Sequence, residues 1–221
     1  MTTQHPRHEH APVPCPATAA KMLTEAAGAA TAAWTRPMTP AGHAHATRQL
    51  YSAIRDLGIT IRVLSRQCGF TSAAEPGSPD SARRVLGCAR LLLRARTSLD
   101  SALIPRSSGQ GHQRGGPGSA MCRAARDTLA TWQHPRATQA DLLIAAEQLT
   151  HAINALAAVT DCLATRATPP RRGDLQNVHA DLSAASECLR GALQFPDESP
   201  VLNLHALTDR LSQEGMEARN E

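Results

Sequence analysis

Leu50, Ile54, Leu57, Ile61 and Leu64 follow one another in alternating steps of four and three. An α-helix turns once every 3.6 residues, so these steps line five large apolar side chains along one stripe; a strand would scatter them over both faces. A second long seam runs through Leu142, Ala146, Leu149, Ile153, Leu156 and Leu163. Shorter ones lie at Val85, Leu86, Leu92, Leu93, Leu99 and Leu103, and at Leu175, Val178, Leu182, Leu189 and Leu193. No segment alternates apolar and polar residues with β-branched enrichment, as a half-buried strand would. The fold class expected is all-α: a multi-helix bundle of about six to seven helices.

Proline, glycine and capping residues set the limits. The first helix covers residues 18–34 and stops before Pro37. The second follows Thr39-Pro40, an N-cap with proline at the first helical position, and ends near Gly69. The third opens on Ser78-Pro79-Asp80, placing an acid at the positive end of the helix dipole, and ends before Pro105. A fourth spans residues 119–132. The fifth opens on Thr138 with Asp141 three residues on, a capping box with Asp in place of Glu, and is closed by Pro169-Pro170 and Gly173. The sixth runs over residues 174–194, and a seventh begins at Ser199-Pro200 with Val201, Leu204, Leu207 and Leu211. The domain organisation expected is therefore a disordered Pro/His-rich tail (1–16), a first three-helix unit (17–104), a flexible Gly-rich linker (105–118), a second three-helix unit (119–196) and a C-terminal helix with a charged end (197–221).

The two units resemble each other. Both tryptophans stand three residues before a proline, and Trp34 and Pro37 lie 98 residues before Trp132 and Pro135. At a separation of 99, Thr39 matches Thr138, and Gln49, Leu50, Ala53, Ile54, Leu57 and Leu64 match Gln148, Leu149, Ala152, Ile153, Leu156 and Leu163. At 90, Leu92, Ala95, Leu99 and Leu103 match Leu182, Ala185, Leu189 and Leu193. Leucines on amphipathic helices coincide easily, but Trp, Pro, Thr and Gln-Leu-x-x-Ala-Ile-x-x-Leu in one order point to an internal repeat. Each tryptophan is expected to cover a core where the chain turns. Aromatic residues make up only 2% of the chain, so packing volume must come from Leu, Ile, Val and Ala, and Ala is the best helix former.

The residues with chemical potential do not assemble into a site on spacing alone, and no catalytic, cofactor-binding or metal residue is assigned. His43 and His45, two apart, point to different sides of a helix; His5, His8 and His10 belong to the tail; Glu147 and His151 share a face but lack a second ligand pair. There is no Gly-x-Ser-x-Gly elbow and no Gly-Lys-Ser/Thr phosphate loop. Asp56, Asp100, Asp141, Asp161, Asp181 and Glu187 are scattered singly, as on solvated faces. His179 and His205 adjoin apolar seams and read as partly buried, hydrogen-bonded histidines. Residues 61–72 resemble the first helix and turn of a helix-turn-helix, but Pro76, Gly77 and Pro79 interrupt what would be the recognition helix. A helix end followed by a loop explains them better.

Of six cysteines, Cys88, Cys122, Cys162 and Cys188 fall within helical seams, where a thiol serves as a small hydrophobe; Cys15 and Cys68 lie outside them. With no CxxC pair, no apolar leader in Met1-Thr-Thr-Gln-His-Pro and no run near the ~20 apolar residues of a membrane span, a reduced cytoplasmic protein without membrane contact is expected. The net charge of +4 is mild, and 22 of the 23 basic residues are arginine, as GC-rich codon usage produces. The function expected is that of a non-enzymatic intracellular helical bundle that binds a protein partner or itself, without a cofactor. The alternative is a small nucleic-acid-associated regulator, resting on the arginine content, on Arg106 and Arg114 in the linker, and on Arg171-Arg172.

Overall fold

The computed structural model describes residues 15–67, 80–103, 116–133 and 139–193. These form six α-helices and, among the described residues, no strand: α1 (Pro16–Trp34), α2 (Pro40–Gln67), α3 (Asp80–Ala102), α4 (Pro117–Gln133), α5 (Gln139–Ala164) and α6 (Pro169–Leu193). The tail, Cys68 and the loop after it, most of the Gly-rich linker and the helix expected from Ser199 lie outside the described residues.

Three helix starts differ from those expected, each because a proline opens the helix. The chain enters α1 at Pro16 and α4 at Pro117, two residues earlier than expected. Pro169-Pro170 begins α6 instead of closing α5. Proline lacks only an N–H that the first turn leaves unpaired anyway, and its fixed φ suits a helix entry. Just ahead of it, the carbonyl of Thr168 accepts from the Arg172 N–H at 2.9 Å. At the start of α2 the expected cap is present: Thr39 Oγ1 accepts from the Gly42 N–H at 3.1 Å.

The six helices stack as three layers of two. α1 pairs with α4, α2 meets α5 more lightly in the middle, and α3 pairs with α6. Between layers, α1 lies on α5, α4 on α2, α2 on α3 and α5 on α6. Exchanging α1 with α4, α2 with α5 and α3 with α6 leaves this set of packed pairs unchanged. The fold therefore has the connectivity of a two-fold axis passing through all three layers. It is also crossed: the first helix of each half packs on the second helix of the other half. One continuous core results, built from Leu, Ile, Val and many Ala.

Burial agrees position by position. Leu50, Ile54 and Leu57 are fully enclosed, as are Leu149, Ile153 and Leu156; Leu92, Ala95 and Leu99 are enclosed with Leu182, Ala185 and Leu189. In the outer layer Leu23 and Ala27 correspond to Met121 and Ala125, all four enclosed. Trp34 is 7% exposed and Trp132 1%, so both end their helices inside the core. A fully buried Leu or Ile contributes about 1.5–3 kcal/mol, and this two-sided burial is why α2 and α5 occupy the middle layer.

Close approach is achieved with small residues. Gly118 lies where α4 crosses α1 and α2, and a Cβ there would overlap the Gln49 amide and come within 2.8 Å of Trp34 Cζ2. The crossed arrangement is also tied by side chains. His43 Nε2 bonds the Leu163 carbonyl at 2.9 Å, joining α2 to α5. The Cys122 thiol donates to the Gln49 carbonyl at 3.2 Å, joining α4 to α2. His179 Nδ1 bonds the Ala157 carbonyl at 3.0 Å, the partly buried, satisfied histidine expected there.

Two of the scattered acids are not on solvated faces. Asp181 is buried between α6 and α3, and Arg94 Nε donates to its two oxygens at 2.8 and 2.9 Å. Asp56 is buried on α2 and pairs with the neighbouring Arg55 at 2.8 Å. A long arginine can lay its stem along the surface and bring its charged head to a carboxylate beneath. Spacing within the chain could not show this for Asp181, whose partner is 87 residues away.

Candidate functional site

A cleft of about 300 Å³ opens between the C-terminal part of α2 and the N-terminal half of α3, lined by Arg62, Ser65, Arg66, Leu86, Ala89, Arg90 and Leu93. The seam Leu57, Ile61 and Leu64 faces inward, so Arg62 and Arg66, one turn apart, emerge at the rim. On α3, Val85, Cys88 and Leu92 face the core, which turns Leu86, Arg90 and Leu93 towards α2. Arg62, Arg66 and Arg90 are exposed and have no acidic partner among the described residues. Leu93, between them, is 43% exposed. The site thus combines three guanidinium groups, none with an acidic partner among the described residues, with a small apolar floor. Guanidinium groups present several N–H donors in a fixed plane, suited to bidentate binding of carboxylate or phosphate.

The fold itself does not demand these residues. At the equivalent junction of α5 and α6, Arg62, Arg66 and Arg90 become Asp161, Thr165 and Ala180, while Leu86 and Leu93 become Gln176 and Ser183. There α5 packs on α6 more closely than α2 does on α3, without an arginine or an exposed leucine at any of these positions. The basic, apolar character is a property of one half alone. Comparison with protein-family models, with curated proteins and with solved structures finds no match for this chain.

The other candidate residues stay apart. Glu147 and His151 are exposed on α5, and among the described residues no three His, Cys, Asp or Glu side chains gather as a metal site would require. Arg171 and Arg172 sit in the first turn of α6, where Arg172 turns back to the Ala167 carbonyl at 3.4 Å. Arg106, Arg114, Cys68, His205 and the histidines of the tail lie outside the described residues. Residues 61–67 of the stretch resembling a helix-turn-helix continue α2, and they supply Arg62 and Arg66 to the cleft.

Among the described residues, Cys88, Cys122, Cys162 and Cys188 are not joined in disulfides. Cys88 is buried on α3, and burial, with Cys188 nearby adding to it, pushes its thiol far above the usual range. Burial also raises the thiol of Cys122, with a smaller upward push from Asp56. Both are held in the protonated form, which is the poor nucleophile, so they act as packing groups and weak donors. No helix among the described residues is long and apolar enough to cross a membrane.

The cleft was not among the sequence expectations. On spacing alone Leu86 and Leu93 belong to the α3 seam, and codon usage accounts for the arginine content. The signal lies where the aligned halves of the sequence differ: Arg62 against Asp161 and Leu93 against Ser183.

Proposed function

We propose that the chain is a duplicated helical unit acting as a non-enzymatic protein-binding module of the cytoplasm, and that the α2–α3 cleft receives an acidic amphipathic helix from a protein partner. The observation carrying this reading is the cluster of Arg62, Arg66 and Arg90 around Leu86 and Leu93, which the equivalent junction dispenses with. Apolar anchors on a helix would cover the two leucines while its carboxylates meet the guanidinium groups, the usual division between a dry centre and a polar rim. Matched positions across the two halves support the duplication, and the buried thiols of Cys88 and Cys162, which form no disulfide, suit a reducing compartment.

The alternative, a nucleic-acid-associated regulator, draws on the same arginines. The leucine floor, with no aromatic residue among the described lining residues, favours the protein partner, since single-stranded bases are held by stacking platforms. The test is a titration of the full chain with a synthetic helical peptide bearing Leu at i, i+3 and i+7 with Glu between, beside a labelled DNA duplex. Peptide binding that Leu93→Asp and Arg90→Glu each weaken by about tenfold supports the module, as loss of a central contact does. Tighter binding of the duplex, with affinity falling as roughly the third power of salt for three phosphate contacts, overturns it.

A further inference from the structure

The duplication gives the middle layer two outer edges of one geometry. On α2, residues turned away from the core follow in steps of four and three: Arg48, Ser52, Arg55, Ile59, Arg62 and Arg66. At the repeat separation of 99, the same positions of α5 are Glu147, His151, Asn154, Ala158, Asp161 and Thr165. On either helix the six fall within about 80° of the circumference, so each set is one stripe. All are exposed except Ser52 and Asn154, which are half-buried. Because α2 and α5 meet each other across the middle layer, their outer edges look to opposite sides of the bundle.

The two edges are opposite in charge. The α2 edge carries four arginines, and the one acid of that helix, Asp56, is buried and paired with Arg55. α5 contains no Lys or Arg, and its edge carries Glu147 and Asp161. Among the described residues, Arg48, Arg62 and Arg66 have no acidic partner, and Glu147 and Asp161 have no basic one. The intervals match as well. Arg48 and Arg62 stand 14 residues apart, as do Glu147 and Asp161, about 21 Å along either helix.

We infer that the protein partner received at the α2–α3 cleft is a second copy of this chain, which lays its α5 edge antiparallel along the α2 edge of the first. This rests on the protein-binding reading of the cleft and names the partner. One antiparallel register sets Glu147 on Arg62 and Asp161 on Arg48. It also carries Ile144, which is 50% exposed, to the level of Ser65 and Arg66 at the cleft. Parallel docking would leave Ile144 beside His45, about 25 Å short of Arg62. The net charge of +4 opposes association at long range, but at about 0.1 M salt the screening length is about 10 Å, so the facing charges decide. Exposed ion pairs are individually weak, which makes the contact reversible and salt-sensitive. The two edges differ, so the contact is heterologous: a dimer still presents one edge of each kind, and assembly continues beyond it.

The test is sedimentation velocity on the full chain in three forms: wild type, Arg48→Ala/Arg62→Ala and Glu147→Ala/Asp161→Ala, with circular dichroism to show that each is folded. Wild type should grow past the dimer as concentration rises, and associate about tenfold more weakly when salt is raised from about 0.05 to about 0.5 M. Each variant alone should associate about tenfold more weakly than wild type. An equimolar mixture of the two variants should give a dimer and nothing larger, because one supplies an intact α5 edge and the other an intact α2 edge. Combined in one chain, Arg62→Glu with Glu147→Arg should restore association, and Arg62→Glu with Asp161→Arg should not; the reverse result overturns the antiparallel register. A wild type that stays monomeric up to about 1 mM, a dimer that grows no further, or association that either alanine variant leaves unchanged overturns the inference. If wild type stays monomeric while the acidic probe peptide described above binds, the inference fails and the binding module stands; if the peptide does not bind either, the module reading fails as well.

Discussion

Two glycines on the outer layer should respond in opposite senses to one added methyl group. Gly28 is exposed within α1, and a Cβ built there meets nothing within 4 Å. Gly28→Ala should therefore stabilise the protein by about 1 kcal/mol, the helix-propensity difference between the two residues. Gly118 is enclosed, and its added carbon would overlap the Gln49 side chain and reach 2.8 Å from Trp34 Cζ2. Gln49 can swing away, but that breaks its 3.3 Å bond to Ser119 Oγ, a loss of about 1 kcal/mol. The indole is wedged in the core and cannot follow, so α4 must shift outward, an overpacking cost of about 1–3 kcal/mol. Gly118 is the second residue of α4, where propensity returns little. The net expectation for Gly118→Ala is a destabilisation of about 1–3 kcal/mol. Urea unfolding followed by circular dichroism measures both, since a slope of about 1–3 kcal/mol/M converts each change into a midpoint shift of several tenths molar or more. If Gly118→Ala proves as stabilising as Gly28→Ala, the close approach of α4 to Trp34 is wrong, and the crossed packing of the outer layer with it.

Trp34→Ala and Trp132→Ala should each cost about 3–5 kcal/mol in the same assay, and a cost below 1 kcal/mol for either would remove it from the core. Arg94→Ala should destabilise more than Asp181→Asn: the first leaves a buried carboxylate without its partner, while the second returns an exposed guanidinium to water; the reverse order of midpoints would refute the geometry. Because the Cys88 thiol stays protonated when folded, the unfolded chain alone ionises above pH about 8.5, so stability should fall as pH rises from there. Cys88→Ala should flatten that decline, and an unchanged pH slope between pH 8 and 10 would count against the burial.

How much of this was legible in the chain depends on whether the physics involved is local. Steps of three and four fixed α2 and α5, and Thr39-Pro40 marked where α2 begins. Burial of Leu50, Ile54 and Leu57 with their counterparts followed from the same spacing. What escaped was whatever depends on a second segment. Spacing leaves Asp181 on a solvated face because Arg94 is far away in sequence, and it does not decide Pro169-Pro170 because a proline pair ends one helix as readily as it opens another. Arg62, Arg66 and Arg90 belong to separate helices, and only the packing of α2 on α3 gathers them into one cleft. Their difference from Asp161, Thr165 and Ala180 was present in the sequence throughout. Reading it required asking where the halves disagree as well as where they match.

The crossed packing has a consequence for how the chain reaches this state. Small helical bundles fold quickly because most of their contacts join neighbouring segments, and helix pairing needs little loop closure. Here Cys162 meets Thr31 across 131 residues, His43 meets Leu163 across 120, and Arg94 meets Asp181 across 87. Short helices are marginal in water until they pack, and among the described residues α1 packs mainly on α4 and α5. During synthesis α2 and α3 can pack on each other, but α1 waits until α4 and α5 have left the ribosome. A helical protein built this way folds at a pace set by long-range closure, as β-sandwiches do, and α1 stays exposed to chaperones and proteases for the whole interval.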